Sequence, residues 1–145
     1  MRVVITGGGT GGHLFPALAV RQALVERRPE ARVLFVGAFG GVEATILPKR
    51  GLEYRGLNVR QVKGKGWRGQ VAALLILPAA VRQAARILRE FSAEVVLGVG
   101  GYASFPTVVA ARLSRIPAVI HEQNAYPGLA NRWLGGIASG VAVSF

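Results

Sequence analysis

Short runs of β-branched and aliphatic residues alternate along this chain with longer stretches of helical periodicity, and most of the short runs lack polar alternation. Strands of that kind are buried on both faces, which requires helices on each side of a parallel sheet. The strand candidates are Arg2–Thr6, Arg32–Val36, Tyr54–Val59, Glu94–Leu97, Ala118–Ile120 and Val141–Val143. Between them fall the helix candidates Phe15–Arg28, Glu43–Lys49, Gln70–Phe91, Pro106–Ser114 and Gly128–Leu134. In the first of these, Ala17, Val20 and Leu24 share a face, with Gln22 and Glu26 opposite. Pro16 suits its first turn and Pro29 follows its end. The pattern predicts an α/β domain on a doubly wound parallel sheet, Rossmann-like in connectivity.

A chain of 145 residues is the size of one domain, and a 51% hydrophobic content excludes a disordered one. There is no cysteine, so disulfide scaffolds, thiol nucleophiles and Cys-based zinc sites are excluded. Eighteen Lys and Arg against seven acids, all of them Glu, give a net charge of +11. Such a field attracts polyanions: nucleic acid, anionic lipid or phosphorylated ligands. Arg2 leads straight into Val3, Val4 and Ile5, which does not resemble a secretory signal. The longest apolar run, Val71 to Val81, is short of the roughly 20 residues a bilayer span needs. These features predict a soluble, cytosolic type of basic domain. Phe145 follows directly on a strand, as expected of one domain cut from a longer protein.

The unusual residues gather where strands end. Gly7-Gly8-Gly9-Thr10-Gly11-Gly12-His13 follows the first strand, Gly37-Ala38-Phe39-Gly40-Gly41 the second, Gly98-Val99-Gly100-Gly101-Tyr102 the fourth, and His121-Glu122-Gln123-Asn124 the fifth. In a parallel sheet these loops share one rim, where open α/β folds bind ligands. Glycine there lets backbone approach a ligand, and a following helix N-terminus favours an anion. Gly7, Gly9 and Gly12 also satisfy GxGxxG, but dinucleotide binding wants an acid at the end of the second strand. That position reads Val36-Gly37-Ala38, with no acid before Glu43, and no Gly-Lys-Ser/Thr marks a P-loop. Two glycine loops with a polar HEQN on one rim point to a phosphate-bearing ligand; the plain alternative is a set of tight turns.

Single side chains on this rim carry competing readings. A helix N-terminus lowers an imidazole pKa, which would leave His13 neutral and able to accept a proton; capping or packing is the other role open to it. Glu122 could orient a ring or hold a sugar hydroxyl, or cap a helix. Asn124 offers a donor and an acceptor for sugar hydroxyls, or serves as a turn residue before Pro127. Tyr102 is a rim wall or core.

Lys63, Lys65, Trp67 and Arg68 lead into the long third helix. On its wheel Leu74, Leu77, Val81, Ala85 and Leu88 form a core face, and a second stripe carries Val71, Leu75, Arg82, Arg86 and Arg89. That stripe is either a solvated basic face or, with Trp67 beside it, a patch for anionic lipid. No nucleic-acid recognition motif accompanies the charge.

The segments GGGTGGHLFPALAV, VLGVGGYASFP and IPAVIHEQNAYPGLANRWL resemble the N-terminal half of the MurG family of peptidoglycan glycosyltransferases. The likeness runs over essentially the whole chain. It implies the acceptor-side, N-terminal domain (residues 1–145) of a two-domain GT-B glycosyltransferase, whose donor-binding C-terminal domain is absent from this chain. It also implies an inverting, metal-independent enzyme with no cofactor, peripheral on the cytoplasmic face of the bacterial membrane. The implied donor is UDP-N-acetylglucosamine and the implied acceptor lipid I, undecaprenyl-pyrophosphoryl-N-acetylmuramyl-pentapeptide; the product is lipid II. By the same resemblance Thr10, Gly11 and Gly12 contact the donor, and Asn124 faces the donor sugar, with Glu122 and Gln123 beside it in the substrate-binding set. His13 matches the proposed general base. Gly100, Gly101 and Tyr102 lie near the acceptor pyrophosphate, and Trp67, Leu75, Arg82, Arg86 and Arg89 fall in the membrane-docking patch. Two other readings stay open: a non-catalytic membrane-anchoring subunit of a split transferase, and a nucleotide-binding domain of an oxidoreductase.

Overall fold

The computed structural model describes residues 1–59 and 66–144, apart from the side chains of residues 67–70 and 72–74. Strands β1 (Arg2–Thr6), β2 (Arg32–Ala38), β3 (Tyr54–Leu57), β4 (Val95–Gly98), β5 (Ala118–Glu122) and β6 (Gly140–Val143) alternate with five helices. These are α1 (Gly11–Arg27), α2 (Val42–Lys49), α3 (Gly66–Phe91), α4 (Ser104–Leu113) and α5 (Leu129–Leu134). The strands form one sheet in the order β3-β2-β1-β4-β5-β6, parallel throughout. This is the doubly wound, Rossmann-like sheet that the alternation predicts.

Strand pleating sorts the apolar runs onto two faces. Val4, Leu34, Val36, Leu57, Val96 and Ile120 turn to the side covered by α3, α4 and α5, where they meet Ala84, Ile87, Leu88, Val108, Ala111 and Leu134. Val3, Ile5 and Phe35 turn to the other side, against Leu14 and Ala17 of α1 and Leu47 of α2. Fully burying a side chain such as Ile5 or Leu88 stabilises the fold by about 1.5–3 kcal/mol. Both faces are therefore needed to hold the central strands in place beneath the rim.

The helix wheel of α3 needs one correction. Its buried stripe is Ala80, Ala84, Ile87 and Leu88, while Val81, Ala85 and Leu77 are only half-buried. The helix packs along α4 as well as over the sheet, and the small alanines at 80 and 84 permit that close approach. Leu75, Arg82, Arg86 and Arg89 are exposed, as predicted. The predicted contributions of Lys63, Lys65 and the side chains of Trp67, Arg68 and Leu74 lie outside the described residues.

Chain order matters more for the rim than any single boundary. From β1 the sheet grows outward through β2 and β3, then the chain returns to place β4 on the other flank of β1. The direction of winding reverses between β1 and β4, and a crevice opens above their carboxyl ends. Thr6, the last residue of β1, holds this point together. Its hydroxyl lies 3.1 Å from the Thr107 hydroxyl and 3.3 Å from the Ala103 carbonyl, which ties β1 to α4.

Candidate active site at the sheet switch point

The first glycine turn runs directly into α1, which begins four residues earlier than its periodicity predicts. Thr10 is extended (φ −145°, ψ 157°) and caps the helix. Its carbonyl accepts the His13 N–H at 3.2 Å and the Leu14 N–H at 3.3 Å. Gly11 and Gly12 are poor helix formers in an interior, but a first turn asks no intrahelical N–H bond of them. His13 thus sits inside the first turn, on the crevice side.

Pro16 is the sixth residue of α1, not part of its opening turn. It has no N–H to give the Gly12 carbonyl four residues back. Gln123, beyond the end of β5, supplies the missing donor: its Nε2 lies 3.2 Å from the Gly12 oxygen. The HEQN segment is thereby fastened to the first turn of α1. The predicted substrate-binding residue Gln123 makes an internal bond here.

His13 faces the second glycine loop. A Cβ at Gly100 would lie 3.0 Å from His13 Nε2, so the glycine leaves space for the ring. His13 Nδ1 is 3.0 Å from the Thr10 hydroxyl. In the tautomer with Nδ1–H donated to Thr10, the lone pair is on Nε2, toward the crevice. Burial holds the imidazole below its ordinary pKa, against the opposing pull of the Glu122 and then the Glu43 carboxylates. The shift runs in the predicted direction, and desolvation is its leading cause.

The two glycine loops contact each other closely. A Cβ at Gly101 would fall on the Gly8 carbonyl oxygen, and one at Gly7 would come within 2.8 Å of the Gly100 oxygen. A Cβ at Gly9 would meet the Tyr102 ring at 2.5 Å. These glycines exist for loop-on-loop packing, whereas the sequence reading had them making room for a ligand. Among Gly11, Gly12, Gly100 and Gly101, Gly12 alone is exposed, and a Cβ there would meet only the Thr10 hydroxyl at 3.8 Å. Tyr102 is half-buried; burial, then Glu43, pushes its phenol pKa up.

Glu122 ends β5 and is buried. One carboxylate oxygen accepts the Asn124 N–H (3.0 Å) and the Asn124 side-chain amide (2.9 Å). The other accepts the Gly128 N–H and the Asn131 amide, both at 3.0 Å. Burial works to raise its pKa, but the bonds from Asn124, Gly128 and Asn131 outweigh that and hold it below the usual carboxylate value. With both oxygens engaged and proton affinity depressed, Glu122 is poorly suited to act as a base. It organises the loop, and both oxygens are taken up by protein donors rather than left open to a sugar hydroxyl. Asn124 is exposed, with its amide nitrogen turned back to Glu122 and its carbonyl toward the rim.

Two site residues were missed. Asn131 of α5 is buried and bridges the His121 carbonyl (3.1 Å) to Glu122. Glu43 of α2 is 2% exposed and bonds backbone from two glycine turns. The available signal for Glu43 was one acid in an apolar helix just after Gly40-Gly41. Because that carboxylate is turned inward, it does not fill the ribose-binding role that a dinucleotide fold requires. Among the described residues no group of three or more His, Cys, Asp or Glu could hold a metal ion.

Comparison with known proteins agrees with this fold. The UDP-N-acetylglucosamine--N-acetylmuramyl-(pentapeptide) pyrophosphoryl-undecaprenol N-acetylglucosamine transferase of Syntrophotalea carbinolica is 52% identical over all of this chain and 40% of its own length. The protein of the same name from Thermodesulfovibrio yellowstonii is 46% identical, again over the whole chain and 40% of the relative. The chain therefore spans about 40% of the length of these curated relatives. The crystal structure of Acinetobacter baumannii MurG superposes with a TM-score of 0.85 at 34% identity, covering 99% of this chain and 41% of that one. The glycosyltransferase SnogD from Streptomyces nogalater, at 19% identity and a TM-score of 0.66 over 99% of this chain and 42% of its own, shares the fold. Residues 3–143 match the glycosyltransferase family 28 N-terminal domain, and the chain belongs to that family as its N-terminal, Rossmann-like domain.

Proposed function

We propose that this chain is the acceptor-side domain of a transferase that moves N-acetylglucosamine from UDP-N-acetylglucosamine to lipid I, making lipid II for peptidoglycan. The observation that carries the reading is the convergence of His13, the exposed Gly12 in the first turn of α1 and the second glycine loop at the β1/β4 switch point. Its 45–52% identity to enzymes of that name supports the substrate pair. The reaction is a single displacement with inversion. His13 Nε2 accepts the proton of the muramyl C4 hydroxyl as its oxygen bonds to the anomeric carbon. The bond from that carbon to the diphosphate breaks, and UDP leaves with the electron pair. An alcohol is a weak nucleophile at neutral pH, so the proton transfer is where a base helps most.

The full-length protein, given UDP-N-acetylglucosamine and a lipid I analogue, should release UDP and form the β-linked disaccharide lipid. The 145-residue chain alone should turn over neither, because the uridine and diphosphate contacts are assigned by family resemblance to the second domain. Transfer by the short chain, or a different sugar acceptor for the long one, would overturn the reading.

The exposed stripe on α3 fits a membrane-facing role in the same protein. Arg82, Arg86 and Arg89 are exposed, and Leu75 (76% exposed) and Val71 (47%) add apolar surface. No helix among the described residues is long and apolar enough to cross a membrane, so attachment by this domain would be through its surface. Each basic side chain near an anionic bilayer contributes about 1 kcal/mol. Replacing all three arginines with glutamine should weaken binding to anionic vesicles by about 3 kcal/mol, roughly a hundredfold. Sedimentation unaffected by that change, or by salt, would remove the stripe from the docking surface.

A further inference from the structure

Glu43 has no part in the chemistry above, yet it is a fully enclosed acid beneath the site. Its Oε2 accepts the Gly9 N–H at 3.0 Å and its Oε1 the Ala38 N–H at 3.1 Å. Those amides belong to different turns, one after β1 and one at the end of β2. A Cβ at Gly8, Gly37 or Gly41 would run into the Glu43 side chain, so three glycines make its berth. A buried carboxylate is costly unless hydrogen-bonded, and here the two backbone donors supply those bonds. The consequence falls on Gly9. With φ at +92° it turns its N–H inward to the carboxylate, and the very next residue is Thr10, the cap of α1.

We propose that Glu43 is a positioning residue: by holding the Gly9 N–H from below, its carboxylate sets the direction in which Thr10, Gly11, Gly12 and His13 enter the crevice. The effect on turnover rests on the transferase reading; the effect on the turn does not. Groups of several elements face this carboxylate and its neighbour. Tyr54 of β3 donates to the Ala38 carbonyl at 2.6 Å, Tyr102 follows β4, and Glu122 of β5 faces His13 from the other side. The Glu43 charge favours the protonated form of His13 and of both phenols.

The test compares Glu43→Gln with Glu43→Asp. Glutamine keeps the shape but presents an NH₂ to one of the two N–H groups, so a bond is lost. Aspartate keeps the charge but is a methylene too short to reach both amides. In NMR spectra of the 145-residue chain, both variants should displace the Gly9 amide resonance. Only the glutamine variant should lower the His13 titration midpoint, since only it removes the charge. In the full-length protein both should lower kcat by about a hundredfold, the scale of an ångström of misplacement, with KM for UDP-N-acetylglucosamine changed far less. Unchanged kcat in variants whose Gly9 amide has moved would overturn the proposal. If neither variant folds, the wild-type chain decides. Its Gly9 and Ala38 amides should be protected from hydrogen exchange, and a Gly9 amide that exchanges at the rate of an open turn defeats the idea. A full-length wild-type protein without transferase activity would instead refute the functional reading, leaving the NMR result intact.

Discussion

Replacing His13 with alanine in the full-length protein should lower turnover by about 10²–10⁴, the range a general base contributes. Affinity for UDP-N-acetylglucosamine should change little, because Thr10 still caps α1 through its backbone carbonyl and the turn survives. The pH dependence supplies the sharper check. The neutral imidazole is the competent form, and burial depresses its proton affinity below the ordinary value of 6.5. In the free enzyme the acidic limb of kcat/KM should therefore fall below pH 6.5 and vanish in the alanine variant. A packing histidine predicts otherwise: a lowered thermal midpoint with near-normal turnover per folded molecule. Glu122 could not then be promoted to base without breaking bonds from Asn124, Gly128 and Asn131.

The second large effect is on stability and needs no substrate. Gly101→Ala should destabilise the 145-residue chain by about 3 kcal/mol or more, because two penalties add. At φ +84° an L side chain is strained, by about 1–3 kcal/mol. Its Cβ would also fall on the Gly8 carbonyl oxygen and lie 3.1 Å from the Gly8 nitrogen, and backbone on both sides cannot swing away. Relief by loop separation would cost about 1–3 kcal/mol more, as overpacking does elsewhere. For a domain of this size the thermal midpoint should drop by about 10 °C. Gly12→Ala is the matched control. Its Cβ makes only an ordinary contact with the Thr10 hydroxyl at 3.8 Å, so stability should hold or rise by up to about 1 kcal/mol. Equal denaturation midpoints for the two variants would show that the glycine loops do not pack as described.

The parallel sheet was legible because its signals are local. Unbroken apolar runs such as Val3–Ile5 and Leu34–Val36 can only be covered on both faces, and the intervening periodicity names the covers. The glycine loops and HEQN were legible as rim features for the same reason: each directly follows a strand. Helix starts were less so. Gly11 and Gly12 mask the opening of α1, since propensity counts against glycine where first-turn geometry does not.

What each rim residue does was decided by neighbours remote in sequence. Gly101 is a glycine because Gly8 lies against it, and Gln123 turns to α1 because Pro16 left the Gly12 carbonyl free. Glu122 becomes an organiser through Asn131 and Gly128, and burial is what lowers the proton affinity of His13. Glu43 read as an ordinary acid in a helix first turn until the fold placed Gly9 and Ala38 over its two oxygens. Periodicity reports which face of an element is buried, because that depends on one segment at a time. Hydrogen-bond partners and desolvation depend on which segments meet, and here the winding reversal between β1 and β4 brings them together.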